Sequence, residues 1–160
     1  KQDIYIALIT TMTDQAMELF DQLLQTKVDD LSPPDALRTM FINTVELLES
    51  NPIFPNMTAD FFLQAFHYEE IMGKVGGYYV KFIDRIAIIL QQGIDQGYFK
   101  EINVNEVATV LAASLDGLSL LKIIEKTLAE QMGMPLNSRA VFEAGANLML
   151  NGLMKENNNV

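Results

Sequence analysis

The sequence contains no cysteine, no tryptophan and only one histidine among its 160 residues. Without cysteine there is no disulfide framework and no thiolate metal site, and one histidine leaves little for imidazole chemistry. The composition therefore argues against most metalloenzymes and nucleophilic hydrolases. We expect no enzymatic activity, and we expect the chain to need neither a cofactor nor a metal ion.

Basic residues and long apolar runs are also scarce. Lysine and arginine number 11 against 21 acids, and the formal net charge of -10 repels phosphate backbones and anionic lipid headgroups. The longest unbroken run of aliphatic residues covers residues 86–90, far short of the roughly 18 residues that cross a bilayer. No charged-then-apolar leader opens the chain. These absences predict a soluble, cytoplasmic chain that itself binds neither nucleic acid nor a membrane.

What the sequence does contain is helical periodicity. A hydrophobic content of 49% over 160 residues suits one globular domain, which we place at residues 1–160. All five prolines lie between stretches in which apolar residues recur every three or four positions. We therefore predict an all-α fold with six helices. Their approximate bounds are 3–28, 33–50, a short helix from 61 that ends near the glycines at 73, 76 and 77, then 78–96, 104–131 and 139–155.

Local capping signals mark several of these helix ends. Ser32 precedes a proline and stands three residues before an acid, and Asn103 stands three residues before a glutamate, so both are suited to cap a helix N-terminus. Gly97 is suited to the left-handed conformation that ends a helix. Either Asn137 or Ser138 is expected to cap the last helix.

The fifth predicted helix is apolar around almost its whole circumference, which implies contacts on more than one side. Asp116 is its only charge from Val107 to Leu121. Because burying an unpaired carboxylate is costly, we expect Asp116 to be hydrogen-bonded, to pair with a base such as Lys122 or Arg85, or to face a ligand. The sequence leaves these three alternatives open.

The last two predicted helices together carry more apolar surface than a monomer of this size should cover from within. Small residues at one-turn or heptad spacing would let helix backbones approach closely. We expect a two-fold homodimer in which both helices of each subunit join an intermolecular four-helix bundle. The alternative is that these helices form the core of a monomer. The residues expected at the interface are Ala113, Gly117, Leu121, Val141, Gly145, Leu148, Met149 and Gly152.

Aromatic residues are concentrated in one stretch, because seven of the fourteen lie between residues 61 and 82. Aromatic and methionine side chains with a few polar tips are typical of an apolar small-molecule pocket. The alternative is ordinary core packing, since phenylalanines at helical spacing are common in cores. In the pocket interpretation His67 and Tyr79 would orient the ligand. The expected lining residues are Met12, Phe41, Phe62, Phe66, His67, Tyr79 and Phe82.

Three other patterns fall short of known sites. His67 and Glu70 have the spacing of metal ligands, but a carboxylate site in a bundle needs a second such pair, which a single histidine cannot supply. Gly73 and Lys74 lack the first glycine and the hydroxyl residue of a phosphate-binding loop. Ser114 lies in an apolar helix without a nucleophile elbow. None of the three predicts a metal, nucleotide or catalytic site.

Four short segments carry a resemblance to a known protein family. They are KQDIYIAL at residues 1–8, QGIDQGYF at 92–99, NVNEVA at 103–108 and AASLDGL at 112–118. In this order and spacing they resemble the C-terminal regulatory domain of tetracycline-repressor-type (TetR family) transcriptional regulators, and the six-helix order covers the whole chain.

This resemblance implies a homodimer built by the last two helices and a cavity within the first five that binds a small, largely apolar or aromatic inducer. It implies that the inducer relieves repression by changing the tilt of the first and fourth helices. DNA binding would belong to a basic helix-turn-helix headpiece of about fifty residues, which does not precede Lys1 in this sequence. The acidic charge of the chain agrees with this division of labour.

Two other functions remain open at this point. A stand-alone helical protein-interaction module would use the same apolar faces without a small-molecule ligand. A small enzyme would use carboxylates such as Asp84 or Asp116 in the cavity and would convert its ligand, whereas a regulator binds its ligand unchanged.

Overall fold

A computed structural model describes residues 31–50 and 65–155 and the single positions 7, 11, 14, 18 and 63. Within these residues the fold is all-helical, as predicted. Its four long helices are α1 (Pro33–Ser50), α2 (Glu69–Asp95), α3 (Val104–Met132) and α4 (Ser138–Leu153). The predicted helix at residues 3–28 lies largely outside the described residues, so the count of six stays a prediction.

Helix α1 begins where the sequence predicts. The backbone N–H of Asp35 donates to Ser32 Oγ over 3.4 Å, which satisfies one of the free donors of the first turn. The side of α1 on which apolar residues recur every three or four positions is buried, including Leu37, Phe41 and Val45. Local capping and one apolar stripe together account for this helix.

Helix α2 corrects the prediction of a helix end near the glycines at 73–77 and a new start at about residue 78. One continuous helix passes through all of them. A glycine costs a helix only about 0.5–1 kcal/mol, and tertiary packing offsets that cost here. Ile71 and Val75 are buried in a small cluster with Ala65, against which Tyr79 also packs.

The turn between α2 and α3 is held by a close approach of side chain to backbone. Gly97 has a φ of 79°, the left-handed conformation that the sequence predicts at this helix end. The buried Phe99 ring lies against Gly93, where any Cβ would overlap it. The backbone N–H of Lys100 donates to the carbonyl of Leu153 over 3.0 Å, so the end of α4 is tied to this turn.

Helices α3 and α4 also begin at their predicted caps. The Asn103 side chain accepts from the backbone N–H of Glu106 over 3.4 Å, and the Asn137 side chain accepts from that of Ala140 over 3.1 Å. Gly133 ends α3 with a φ of 62°. Of the two candidates for the last cap, Asn137 is the one used, and Ser138 is the first helical residue.

The main core lies where the four helices meet. Helix α3 packs most extensively on α2, and α1 packs most extensively on α4. Met40, Ile86, Leu90, Phe99 and Phe142 are among the most completely buried large side chains. This arrangement leaves one side of α3 and one flank of α4 without cover from the described residues.

Candidate functional site

Three aromatic rings on α2 form the centre of the candidate site. The rings of Tyr78 and Phe82 stack with centroids 6.0 Å apart and planes at 12°. Tyr79 meets Tyr78 edge to face, with centroids 6.2 Å apart and planes at 83°. Phe82 is buried in the main core, whereas the two tyrosines are partly exposed. The group therefore joins the core to an accessible surface.

A hydrogen bond across the α2–α3 interface links this group to the lone acid of α3. The Tyr79 hydroxyl donates to Asp116 Oδ2. Burial raises the pKa of the Asp116 carboxyl, while the hydrogen bond from Tyr79 acts in the opposite direction. Burial, together with the neighbouring Asp116, also raises the pKa of Tyr79 well above its ordinary value of 10.0. The two groups form a half-buried polar pair at the edge of an apolar, aromatic region.

The Tyr79 hydroxyl supplies the hydrogen bond that was one of the three alternatives left open for Asp116. Lys122 pairs with Glu125, its Nζ lying 2.6 Å from Oε2, rather than with Asp116. Among the residues that the structure describes, no lysine or arginine forms an ion pair with Asp116. Its partner is a tyrosine hydroxyl, which leaves the carboxylate without a neutralising charge from these residues.

The other residues predicted to line a pocket are spread more widely. Phe41 is buried in the main core on α1. Phe66 is 77% exposed and His67 is also exposed. Met12 and Phe62 lie outside the described residues. The structure thus brings Tyr79 and Phe82 into one aromatic group through Tyr78 and leaves Phe66 and His67 at the surface.

The list of expected lining residues did not include Tyr78 or Asp116, although contact with a ligand was one of the alternatives for Asp116. The sequence does indicate a special role for Asp116, because it is the only acid in a long apolar segment. The signal for Tyr78 was its position one turn before Phe82, which is the spacing at which two helical side chains stack.

A second feature is an exposed apolar face on α3. Val110 is 60% exposed and Leu120 is 57% exposed, and the small residues Ala113 and Gly117 lie exposed between them. Among the described residues, α3 is the one helix long and apolar enough to cross a membrane, judged by length and composition alone. Only 22% of its most apolar stretch is buried. Helix α3 therefore needs more cover than the described residues provide.

The remaining residues predicted at an interface differ in how exposed they are on α4 and the adjoining part of α3. Leu148 is 76% exposed, and a Cβ added to Gly152 would meet open space. In contrast, a Cβ added to Gly145 would lie 3.2 Å from Leu118 Cδ1 of the same chain. Gly145 thus makes room for packing within the subunit. Three residues are partly buried: Leu121, Val141 and Met149.

Comparison with known proteins identifies a family. Residues 40–154 match a family model described as QacR-like protein, C-terminal region. This match spans well over half of the chain. No protein with a curated description matches the chain significantly in sequence.

Solved structures share the fold at low sequence identity. A TetR transcription regulator from Haloarcula marismortui has a TM-score of 0.74 at 17% identity, covering 97% of this chain and 79% of its own. The TetR family regulator PfmR from Thermus thermophilus has a TM-score of 0.68 at 19% identity, covering 92% and 75%. The ketosteroid transcriptional regulator KstR2 of Mycobacterium tuberculosis has a TM-score of 0.66 at 18% identity, covering 88% and 68%. The chain belongs to the TetR family of transcriptional regulators, and it matches the C-terminal region of that family.

Proposed function

We propose that residues 1–160 form the effector-binding and dimerisation domain of a transcriptional repressor, released from DNA by a small, largely apolar or aromatic inducer. TetR-family regulators generally act as DNA-binding dimers with small-molecule effectors, and they are typically not enzymes. The observation that carries the proposal for this chain is the exposed apolar face of α3 beside the exposed flank of α4.

A second copy of the chain is the cover that fits this face best. Val110, Leu120 and Leu148 each leave more than half of their surface exposed. Gly117 and Gly152 each have open space where a Cβ would lie, so a helix backbone of the partner could approach closely. In the proposed bundle, α3 and α4 of both subunits bury these residues together over about 2,000 Å² or more, as obligate dimers do.

A lipid bilayer is a weaker explanation for the apolar length of α3. Asp116, Lys122 and Glu125 all lie within the helix, and a charged side chain near the bilayer centre costs about 2.5–3.5 kcal/mol on insertion scales. A protein partner on α3 would not require the charged side chains to enter hydrocarbon. Asp116 contacts Tyr79 on α2, and Lys122 pairs with Glu125. We therefore propose a soluble, cytoplasmic dimer.

The aromatic group supports an apolar or aromatic effector. Tyr78 and Tyr79, packed on the buried Phe82, offer aromatic rings next to a polar pair, which is the mixture that ligand pockets use for affinity and orientation. One protein of the same fold is a ketosteroid regulator, and an effector with a similarly apolar body suits these rings. Met12, Phe41, Phe62, Phe66 and His67 stay predicted lining residues.

The proposed switch is a change in helix tilt. Inducer bound between α2 and α3 would bias the tilt of α2 and of the predicted helix at residues 3–28, which leads toward the DNA-binding headpiece. Inducer and DNA must then each prefer a different conformer, and the inducer shifts the equilibrium only by its differential affinity for the two.

Native mass spectrometry of the purified chain tests both halves of the proposal. We expect a particle of twice the 18.0 kDa chain mass, with any effector retained from expression visible as an added mass. A thermal-shift screen of apolar and aromatic compounds should find ligands that raise the melting temperature, because they bind the folded state. A particle of single-chain mass at micromolar concentration would contradict the dimer. A dimer stabilised by no compound would favour the stand-alone interaction module.

A further inference from the structure

Asp116 has hydrogen-bonding capacity that the described residues do not use. An ionised carboxylate accepts at about four lone-pair positions on its two oxygens, and the described contact is one hydrogen bond from Tyr79 to Oδ2. The carboxylate is partly exposed, so a small molecule can reach it. Its partner Tyr79 packs edge to face on Tyr78, which stacks on Phe82.

From this arrangement we infer that Asp116 binds the hydrogen-bond-donating end of the effector, an apolar or aromatic molecule that carries an amine or hydroxyl head group. The inference rests on the proposed effector function and adds the chemical class of the ligand. Tyr79 acts as a positioning residue, since its hydroxyl holds one carboxylate oxygen and leaves the other for the ligand.

The charges around the site favour a donor over an acceptor. The Tyr79 proton already points to Asp116, and the described residues supply no lysine or arginine to Asp116 that could hold a ligand carboxylate. A ligand acid would instead meet a like charge in a chain whose net charge is -10. Carboxylic acids with the same apolar body are therefore expected to bind poorly.

Partial burial increases the effect of a donor. Burial raises the pKa of the Asp116 carboxyl, which means that its ionised form lacks some of the solvation it would have in water. A ligand N–H or O–H replaces that lost solvation. Hydrogen bonds to charged groups correspond to an affinity gain of about tenfold to a hundredfold.

A matched ligand series tests the inference on the full chain. The probes share a naphthyl body: naphthylmethylamine, naphthylmethanol, methylnaphthalene, naphthoic acid and naphthylmethyl-trimethylammonium. By titration calorimetry we expect the amine and the alcohol to bind about tenfold to a hundredfold more tightly than methylnaphthalene, and naphthoic acid to bind least. The trimethylammonium probe has a charge but no N–H, so it should lose most of the gain shown by the amine.

Two variants and a control separate the site from general effects on folding. Asp116→Asn should remove the preference for the amine over methylnaphthalene, and Tyr79→Phe should reduce it while the affinity for methylnaphthalene stays the same. The control is Asp95→Asn, which changes an exposed acid at the end of α2 and should leave all affinities unchanged. Since methylnaphthalene needs no polar contact, its binding reports that each variant is folded.

The outcomes distinguish this inference from the proposed function. Equal binding of methylnaphthalene and the amine by the unmodified chain would overturn the role of Asp116 and leave the effector function standing. Equal binding of the trimethylammonium probe and the amine would overturn the hydrogen bond in favour of charge alone. A chain that binds no probe at all would overturn the effector function and this inference together.

Discussion

Leu148→Ala should weaken the proposed dimer without harming the subunit. Full burial of a leucine side chain contributes about 1.5–3 kcal/mol. Leu148 is 76% exposed, so about 1–2 kcal/mol remains available to an interface in each copy. A two-fold axis doubles this contribution. Since alanine keeps the Cβ, we expect a loss of about 2–3 kcal/mol, which is roughly a 30- to 150-fold weaker Kd.

Ile88→Ala is the matched control, because Ile88 is a comparably large, 57% exposed residue on α2, outside the proposed interface. Alanine has the highest helix propensity, so neither change should destabilise its helix. Sedimentation equilibrium with fluorescence detection, from nanomolar to micromolar chain, would measure the dissociation constants of both variants and the parent. If the Leu148 and Ile88 variants dissociate at the same concentration as the parent, the α3–α4 face is not the dimer interface.

Other expected outcomes follow from single side chains. Gly93→Ala should lower the free energy of unfolding by about 1–3 kcal/mol in urea titrations, because its Cβ overlaps the Phe99 ring. Gly76→Ala, with open space at the same position, should raise it by about 0.5–1 kcal/mol. In an alkaline titration followed by phenolate absorbance, Tyr79 should ionise well above its ordinary pKa of 10.0, and Asp116→Asn should lower the pKa of Tyr79 toward that value. The raised pKa of Asp116 means that the folded state binds the Asp116 proton more tightly than the unfolded state does. The protonated Asp116 therefore contributes to stability fully below the ordinary pKa of 3.8, and this contribution is lost as pH rises through the pKa of Asp116 in the folded state. The unfolding free energy should therefore fall over that window in the parent and not in Asp116→Asn.

The helix ends were the most predictable part of the fold. Asn103, Asn137 and Gly97 each act through atoms a few residues away, so the sequence contains the whole interaction. The buried face of α1 was equally predictable, because apolar residues at helical spacing lie on one side of the helix and mark the side that packs on the core.

The prediction of a helix end near the glycines at 73–77 was wrong, because it considered only local helix propensity. Helix propensity is a local quantity, whereas the burial of Ile71 and Val75 depends on segments that are distant in sequence. A cost of about 0.5–1 kcal/mol per glycine is comparable to the gain from burying part of one apolar side chain. The sequence pattern therefore shows the helix-propensity cost of the glycines but not the stabilisation from burying Ile71 and Val75.

The candidate site was predictable in part. The isolated charge of Asp116 showed that it needed a partner, but the identity of that partner depends on the register between α2 and α3. That register brings the Tyr79 hydroxyl, rather than Lys122, to the carboxylate. The small residues show the same limit: Gly145 packs against its own subunit while Gly152 is open, and their spacing in sequence does not reveal the difference.

Helix α3 carries the two proposed interactions on adjacent residues. Asp116 faces Tyr79 on α2, and Gly117 has open space around it on the proposed dimer face. Successive residues of an α-helix point about 100° apart, so a rotation or slide of α3 that adapts Asp116 to a ligand must also move Gly117 against the partner. A glycine contact leaves no side chain to absorb that movement. In a dimer of the proposed kind, ligand binding and subunit arrangement are therefore coupled through a single rigid helix. The ligand that binds Asp116 should change the dimer dissociation constant, and dissociation of the dimer should change the affinity for the ligand by the same factor.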